Sequence, residues 1–212
     1  MPEPRTRKPA ASTGPATRSG KGRTLRRQGE ETRSKLLAAA LPALAEKGYQ
    51  ATRVDDVVRL AGVSHGTFYL YFANKEELFW GLATACADEA AELAASLDGI
   101  PAGEAGREAL RTWLAAFVEF YRRHGVVIRA WTENQVADRK LAKLGTTSFG
   151  RISDTLLSAV AANPKRPSRR DQLRSAALLA MVERFAYVVT SRDLGLDDEM
   201  VLDNLATFVH RG

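Results

Sequence analysis

The stretch from Thr52 to Leu78, TRVDDVVRLAGVSHGTFYLYFANKEEL, sets three helix starts in close succession and leaves the chain little freedom around them. Thr52 precedes an apolar-periodic run, Val54, Val57, Val58 and Ala61, with Asp55 three residues on, which is capping-box spacing. Gly62 then ends that helix, because glycine takes the left-handed C-terminal conformation without steric cost. Ser64 is placed to cap a short helix from His65 to about Tyr71, and Asn74 to cap a third, with Glu77 at the capping-box position. Helix, glycine turn, short helix is the helix-turn-helix pattern.

The short helix has two unlike faces. Phe68 and Phe72 are four apart and can pack on Val54, Val57 and Val58. The other face carries His65, Gly66, Thr67, Tyr69 and Tyr71, small or hydrogen-bonding groups of the kind a helix in a major groove presents. Gly66 costs such a helix roughly 1 kcal/mol against alanine, which close approach to another surface would explain. Spacing alone leaves a second reading open: a helical hairpin with an aromatic core and a solvated polar face.

Glu30 to Leu78 resembles the N-terminal domain of the TetR family of transcriptional regulators. The resemblance rests on Glu46-Lys47-Gly48-Tyr49, Val54-Asp55-Asp56-Val57, Ala61-Gly62-Val63-Ser64, Gly66-Thr67-Phe68-Tyr69, Tyr71-Phe72 and Asn74-Lys75-Glu76, with Leu78 closing the run. It implies that Tyr69, Tyr71 and Lys75 touch phosphates, that His65, Gly66 and Thr67 beside Ser64 face base edges, and that Thr52 approaches the DNA backbone. Arg53 departs from the usual second threonine and would add a phosphate contact or be solvated. Pro42, inside the first helix, is another departure and should kink it.

Residues 1–29 read differently. They hold Pro2, Pro4, Pro9, Pro15, four glycines and almost nothing apolar except Leu25. Eight Lys and Arg side chains there oppose only Glu3, whereas the whole chain is +6, so the remainder is close to neutral. Such a composition predicts a disordered basic arm, either a solvated tail or a strap along phosphates.

After Lys75 a longer helix should run to about Leu97 and be broken at Asp98-Gly99-Ile100-Pro101. The next, from Gly103 to Arg123, should stop at His124-Gly125, with Val126 to Ile128 ambiguous between strand and helix and kept helical. A helix from Asp138 to about Ala162 follows, weakened at Gly145 and Gly150. Trp113, Phe117, Phe120, Tyr121, Trp131, Phe149 and Phe185, with Glu133 and Asn134 as polar groups, are candidates for lining a small-ligand cavity. Each could equally be a core aromatic; the resemblance implies a cavity and suggests a small hydrophobic, acyl-type effector.

Two C-terminal helices complete the chain. The first is apolar nearly all round between Ala176 and Val182 and must bury two faces. Leu173, Ala177 and Ala180 on it, with Val201, Leu205 and Phe208 on the last helix, are the expected homodimer interface, a four-helix bundle across a two-fold axis. A buried intramolecular hairpin is the alternative.

The sequence therefore predicts an all-α chain of about nine helices. Residues 1–29 form the arm, 30–74 a three-helix helix-turn-helix DNA-binding domain, and 75–212 a ligand-binding and dimerisation domain. The expected partners are a palindromic double-stranded DNA operator, a small hydrophobic effector and a second copy of the chain, with no cofactor. The expected function is a ligand-responsive DNA-binding regulator acting as a repressor in the cytoplasm; the alternative is a dimeric helical adaptor without sequence-specific DNA binding. An enzyme is disfavoured, because His65, His124 and His210 are scattered and the lone Cys86 can build no metal cluster. No apolar run is long enough to span a membrane.

Overall fold

The computed structural model describes residues 18–97, 100–101, 103–132, 138–160, 165–191, 195 and 197–211. Among these, eight α-helices account for all regular structure: α1 Arg18–Ala51, α2 Val54–Ala61, α3 His65–Tyr69, α4 Lys75–Ala95, α5 Glu104–Thr132, α6 Arg139–Val160, α7 Arg169–Ser191 and α8 Asp198–Arg211. None is long and apolar enough to cross a membrane.

Leu36, Ala40, Ala43 and Leu44 recur at helical spacing along α1 and are buried. Val57, Val58 and Ala61 of α2 and Phe68 of α3 close over that stripe. Complete burial of Phe68 is worth on the order of 1.5–3 kcal/mol. α4 leaves this small bundle and packs against α5 and α6; α5 in turn carries α7 and α8, and α6 lies on α7. A single apolar core runs through all of it, from Leu36 to Val209. α4 is therefore shared, starting under the helix-turn-helix and ending as a wall of the larger bundle.

Four expectations change. Helix α1 begins at Arg18, inside the segment that composition assigns to a disordered arm. Once the Leu36 to Leu44 stripe is docked, extending the helix backwards costs little per residue, and Arg27 pairs with Glu31 one turn on at 3.3 Å. The dihedrals stay helical through Pro42, and the departure within α1 falls at Gly48 (φ 76°, ψ 166°).

The cap of α2 shifts by one residue. Arg53 is the N-cap, and its backbone N–H donates to Asp56 Oδ2 at 3.0 Å, so Asp56 rather than Asp55 closes the turn. Asp56 also accepts from Lys47 Nζ at 2.5 Å; this bond, with that from Arg53, holds its carboxyl below the usual range.

Finally, α5 runs straight through His124-Gly125, which reduces nine helices to eight. Gly125 serves close packing there: a β-carbon on it would sit 3.0 Å from the Tyr121 ring. The burial of Val127 and Ile128 offsets the helix cost of the glycine.

Candidate nucleic-acid interface and ligand cleft

α3 is fixed at its N-terminal end. Thr67 N–H donates to Ser64 Oγ at 3.1 Å, and the two hydroxyls lie 3.0 Å apart. Gly62 takes the left-handed conformation (φ 63°) that turns the chain from α2 into α3. Phe68 and Phe72 sit 5.8 Å apart beneath, holding the helix by its apolar face. What remains outward is Arg53, Ser64, His65, Gly66 and Tyr69, with Thr67 half-buried. His65 Nε2 lies 2.9 Å from Asp55 Oδ1, which ties the first residue of α3 to α2. The nearest atom a β-carbon at Gly66 would meet is Ser64 Oγ, 3.7 Å away, so packing within the chain does not demand glycine there.

Three residues expected on this face are engaged elsewhere. Thr52 is 2% exposed. Its hydroxyl donates inward to Gly48 O at 2.7 Å and to Ala43 O at 3.1 Å, so it locks the end of α1 instead of reaching outward. Lys75 Nζ donates to the carbonyls of Tyr49 (2.8 Å) and Gln50 (3.2 Å) and stands 4.6 Å over the Tyr49 ring. A cation at the first position of α4 is repelled by that helix's own dipole; the two carbonyls draw it back. Tyr71 is half-buried in the groove between α1 and α4, with its hydroxyl close to Gly29. In the other direction, Leu70 is missed by the sequence reading and is 80% exposed beside Tyr69.

The aromatic candidates separate into two groups. Trp113, Phe117 and Tyr121 are core: Trp113 Nε1 donates to Leu93 O at 3.0 Å, its ring packs 5.4 Å from Phe117, and Tyr121 Oη bonds Glu183 Oε1 at 3.0 Å. Burial first, and then the Glu183 charge, push the Tyr121 hydroxyl well above its ordinary pKa. Phe185 is half-buried against the same core. Phe120, Trp131 and Phe149 instead line a narrow cleft between α4, α5 and α6, together with Cys86, Ala90, Ile128, Ser148 and Ile152. Its free volume is about 10 Å³, at the lower limit for one water molecule. Burial pushes the Cys86 thiol up to about 12, so it is an inert wall. Glu133 and Asn134 lie outside the described residues.

The start of α6 meets α4. Asp138 caps α6, accepting from Lys140 N–H at 2.7 Å and Leu141 N–H at 3.0 Å. The Leu141 bond chiefly, and lastly the Trp80 side chain of α4, hold its carboxyl below the usual range.

On the far side, Leu173, Ala177 and Ala180 of α7 and Phe208 of α8 are exposed; Phe208 is 67% so. Val201 is half-buried, and Leu205 is 7% exposed, packed inside the chain. Leu202, Leu205, Ala206 and Val209 share the face of α8 that meets α5, so Leu205 leaves the outward set.

Residues 36–80 match the family described as "Bacterial regulatory proteins, tetR family". The helix-turn-helix segment of this chain is thus similar to that of the TetR family. It is 34% identical over 119 residues to the uncharacterized HTH-type transcriptional regulator YhgD of Bacillus subtilis, a match that takes in 55% of this chain and 56% of that protein. To the HTH-type transcriptional regulator EthR of Mycobacterium tuberculosis it is 30% identical over 125 residues, 59% of this chain and 58% of the other. The chain thus spans a little under three fifths of the length of these relatives. In fold it is similar to the fatty acid degradation regulator FadR of Bacillus halodurans, with a TM-score of 0.63 and 16% identity, covering 85% of this chain and 95% of that one.

The outward face of α3 lies within the matched residues. Cys86 with Ala90, Ile128 with Trp131, and Ser148 with Ile152 each stand three or four apart on one helix, and that spacing was the available signal for the cleft.

Proposed function

We infer that this chain is a homodimeric, ligand-responsive DNA-binding regulator, a repressor released from a palindromic operator by a small hydrophobic effector. The observation that carries this reading is α3 itself: a capped helix held by Phe68 and Phe72, with His65, Gly66 and Tyr69 turned outward and no intramolecular demand for Gly66. His65, Gly66 and Thr67 would face base edges in a major groove, while Tyr69 and Arg53 would meet phosphates. The head is residues 30–74 and the body 75–212, with α4 crossing between them.

The exposed stripe Leu173, Ala177, Ala180 and Phe208 supports a two-fold contact between copies. Two heads so related read half-sites about one helical turn, roughly 34–36 Å, apart. An effector class of acyl type is supported by the apolar cleft lining, and the name of the FadR structure points the same way. Because the cleft is narrow, a ligand entering it must part α4, α5 and α6, and α4 carries the head. Coupling of this kind is typically about 1–3 kcal/mol.

The test is selection of bound duplexes from a random pool by the purified chain, followed by sequencing. A palindromic motif with helical-turn spacing is the expected result. Enrichment of no sequence would reject the reading and favour a dimeric adaptor.

A further inference from the structure

Trp131 combines two observations that the general reading does not use. Its ring lines the α4–α5–α6 cleft, and its buried Nε1 has no hydrogen-bond partner among the described residues. A buried N–H left unpaired keeps its full desolvation cost, and indole can only donate. The ring is also immobilised: it meets Phe149 edge-on at 6.5 Å, and a β-carbon on Gly145 would stand 3.0 Å from it. Turning aside to find a partner would sacrifice that packing.

The rest of the wall narrows what could satisfy this donor. Cys86, Ala90, Phe120, Ile128, Phe149 and Ile152 are apolar, and Ser148 spends its hydroxyl proton on Leu144 O at 2.9 Å. The described lining carries no cation. His124 stacks on Phe120 at 5.1 Å, but its Nε2 faces the Glu89 carboxylate at 2.6 Å, which also pairs with Arg123. A ligand carboxylate there would lose its hydration without a counter-ion.

We propose that the cleft takes a neutral, carbonyl-bearing hydrophobe whose oxygen accepts the Trp131 indole N–H, and that it discriminates against free carboxylates. The proposal rests on the effector reading above and names the chemistry of that same site.

Three matched single-ring probes test it on the full chain: acetophenone, with a neutral carbonyl; ethylbenzene, without an acceptor; and benzoate, with the charge. Acetophenone is expected to bind about five- to tenfold more tightly than ethylbenzene, the value of one such bond, with benzoate weakest. Trp131→Phe should erase the advantage of acetophenone over ethylbenzene, whatever the smaller ring does to the affinity of both. Indole 15N–1H spectra of the unaltered protein give a readout independent of the variant's folding. Of its three tryptophan signals, one should move downfield with acetophenone alone. Benzoate binding tightest, or equal binding of all three, would overturn the neutral-carbonyl assignment while leaving the effector site in place. Failure of all three to bind a protein that still selects an operator would overturn the cleft as the effector site as well.

Discussion

The head and the body are both helical and use the same kinds of apolar residue, yet they hold their candidate functional groups differently. In the head, each outward group is placed by an adjacent cap or turn: Ser64 under Thr67, Gly62 before α3, Asn74 Oδ1 accepting from Glu77 N–H at 2.8 Å. In the body, the groups that line the cleft come from three helices, and each depends on distant packing. A site written in consecutive residues is set by local hydrogen bonds; a site assembled across helices exists only when the core does.

The largest effect that bears on this contrast is expected at Phe68. Phe68→Ala should cost about 3–5 kcal/mol and remove DNA binding, seen as a lower midpoint in chemical denaturation and loss of operator shift. Retained binding would mean that α3 does not depend on the core beneath it. Thr52→Val comes next. It should cost about 1–2 kcal/mol in denaturation, because it removes the hydroxyl donated to Gly48 O and Ala43 O. The salt dependence of DNA binding should stay the same, whereas a loss confined to binding would return Thr52 to the outer face. Lys75→Met should behave likewise, at about 1 kcal/mol, since its bonds go to Tyr49 O and Gln50 O. A fall of about one in the salt slope would place Lys75 on phosphate instead.

Smaller still in stability are the outward residues. Tyr69→Phe, His65→Ala and Thr67→Ala should each stay within about 0.5 kcal/mol of the parent. Tyr69→Phe should weaken all operators alike, while the other two alter which bases are preferred in a duplex selection. Equal effects on every sequence would erase the division between phosphate and base contacts. Alkaline pH leaves the contrast untouched near neutrality. Burial first, then Glu76, pushes the Tyr49 hydroxyl up to about 12. Its contribution to stability is present below the ordinary value of 10.0 and is lost as pH rises towards 12, which a denaturation series across that range would show.

The head was legible because capping residues and glycines report on their immediate neighbours. Ser64, Asn74 and Gly62 do what their spacing predicts. Where the sequence misled, a tertiary contact outweighed a local signal. Gly125 looked like a stop and is a seat for Tyr121. Lys75 looked free for phosphate and is drawn to the end of α1. The arm looked uniform, but its Arg18 to Gly29 portion is helical because α1 propagates through it. Among the aromatics, composition does not say which side of α5 faces α6; Phe120 and Trp131 do, while Trp113 and Phe117 face the core.

The narrowness of the cleft has a kinetic consequence for the proposed effector site. A ligand needs far more room than about 10 Å³, so its entry there requires α4, α5 and α6 to separate. The observed rate of effector association should therefore level off as concentration rises, at the frequency with which the helices open. Apparent affinity is reduced by the fraction of time spent open. Substitutions that loosen the Gly145–Trp131 contact would then speed the response without adding any contact to the ligand.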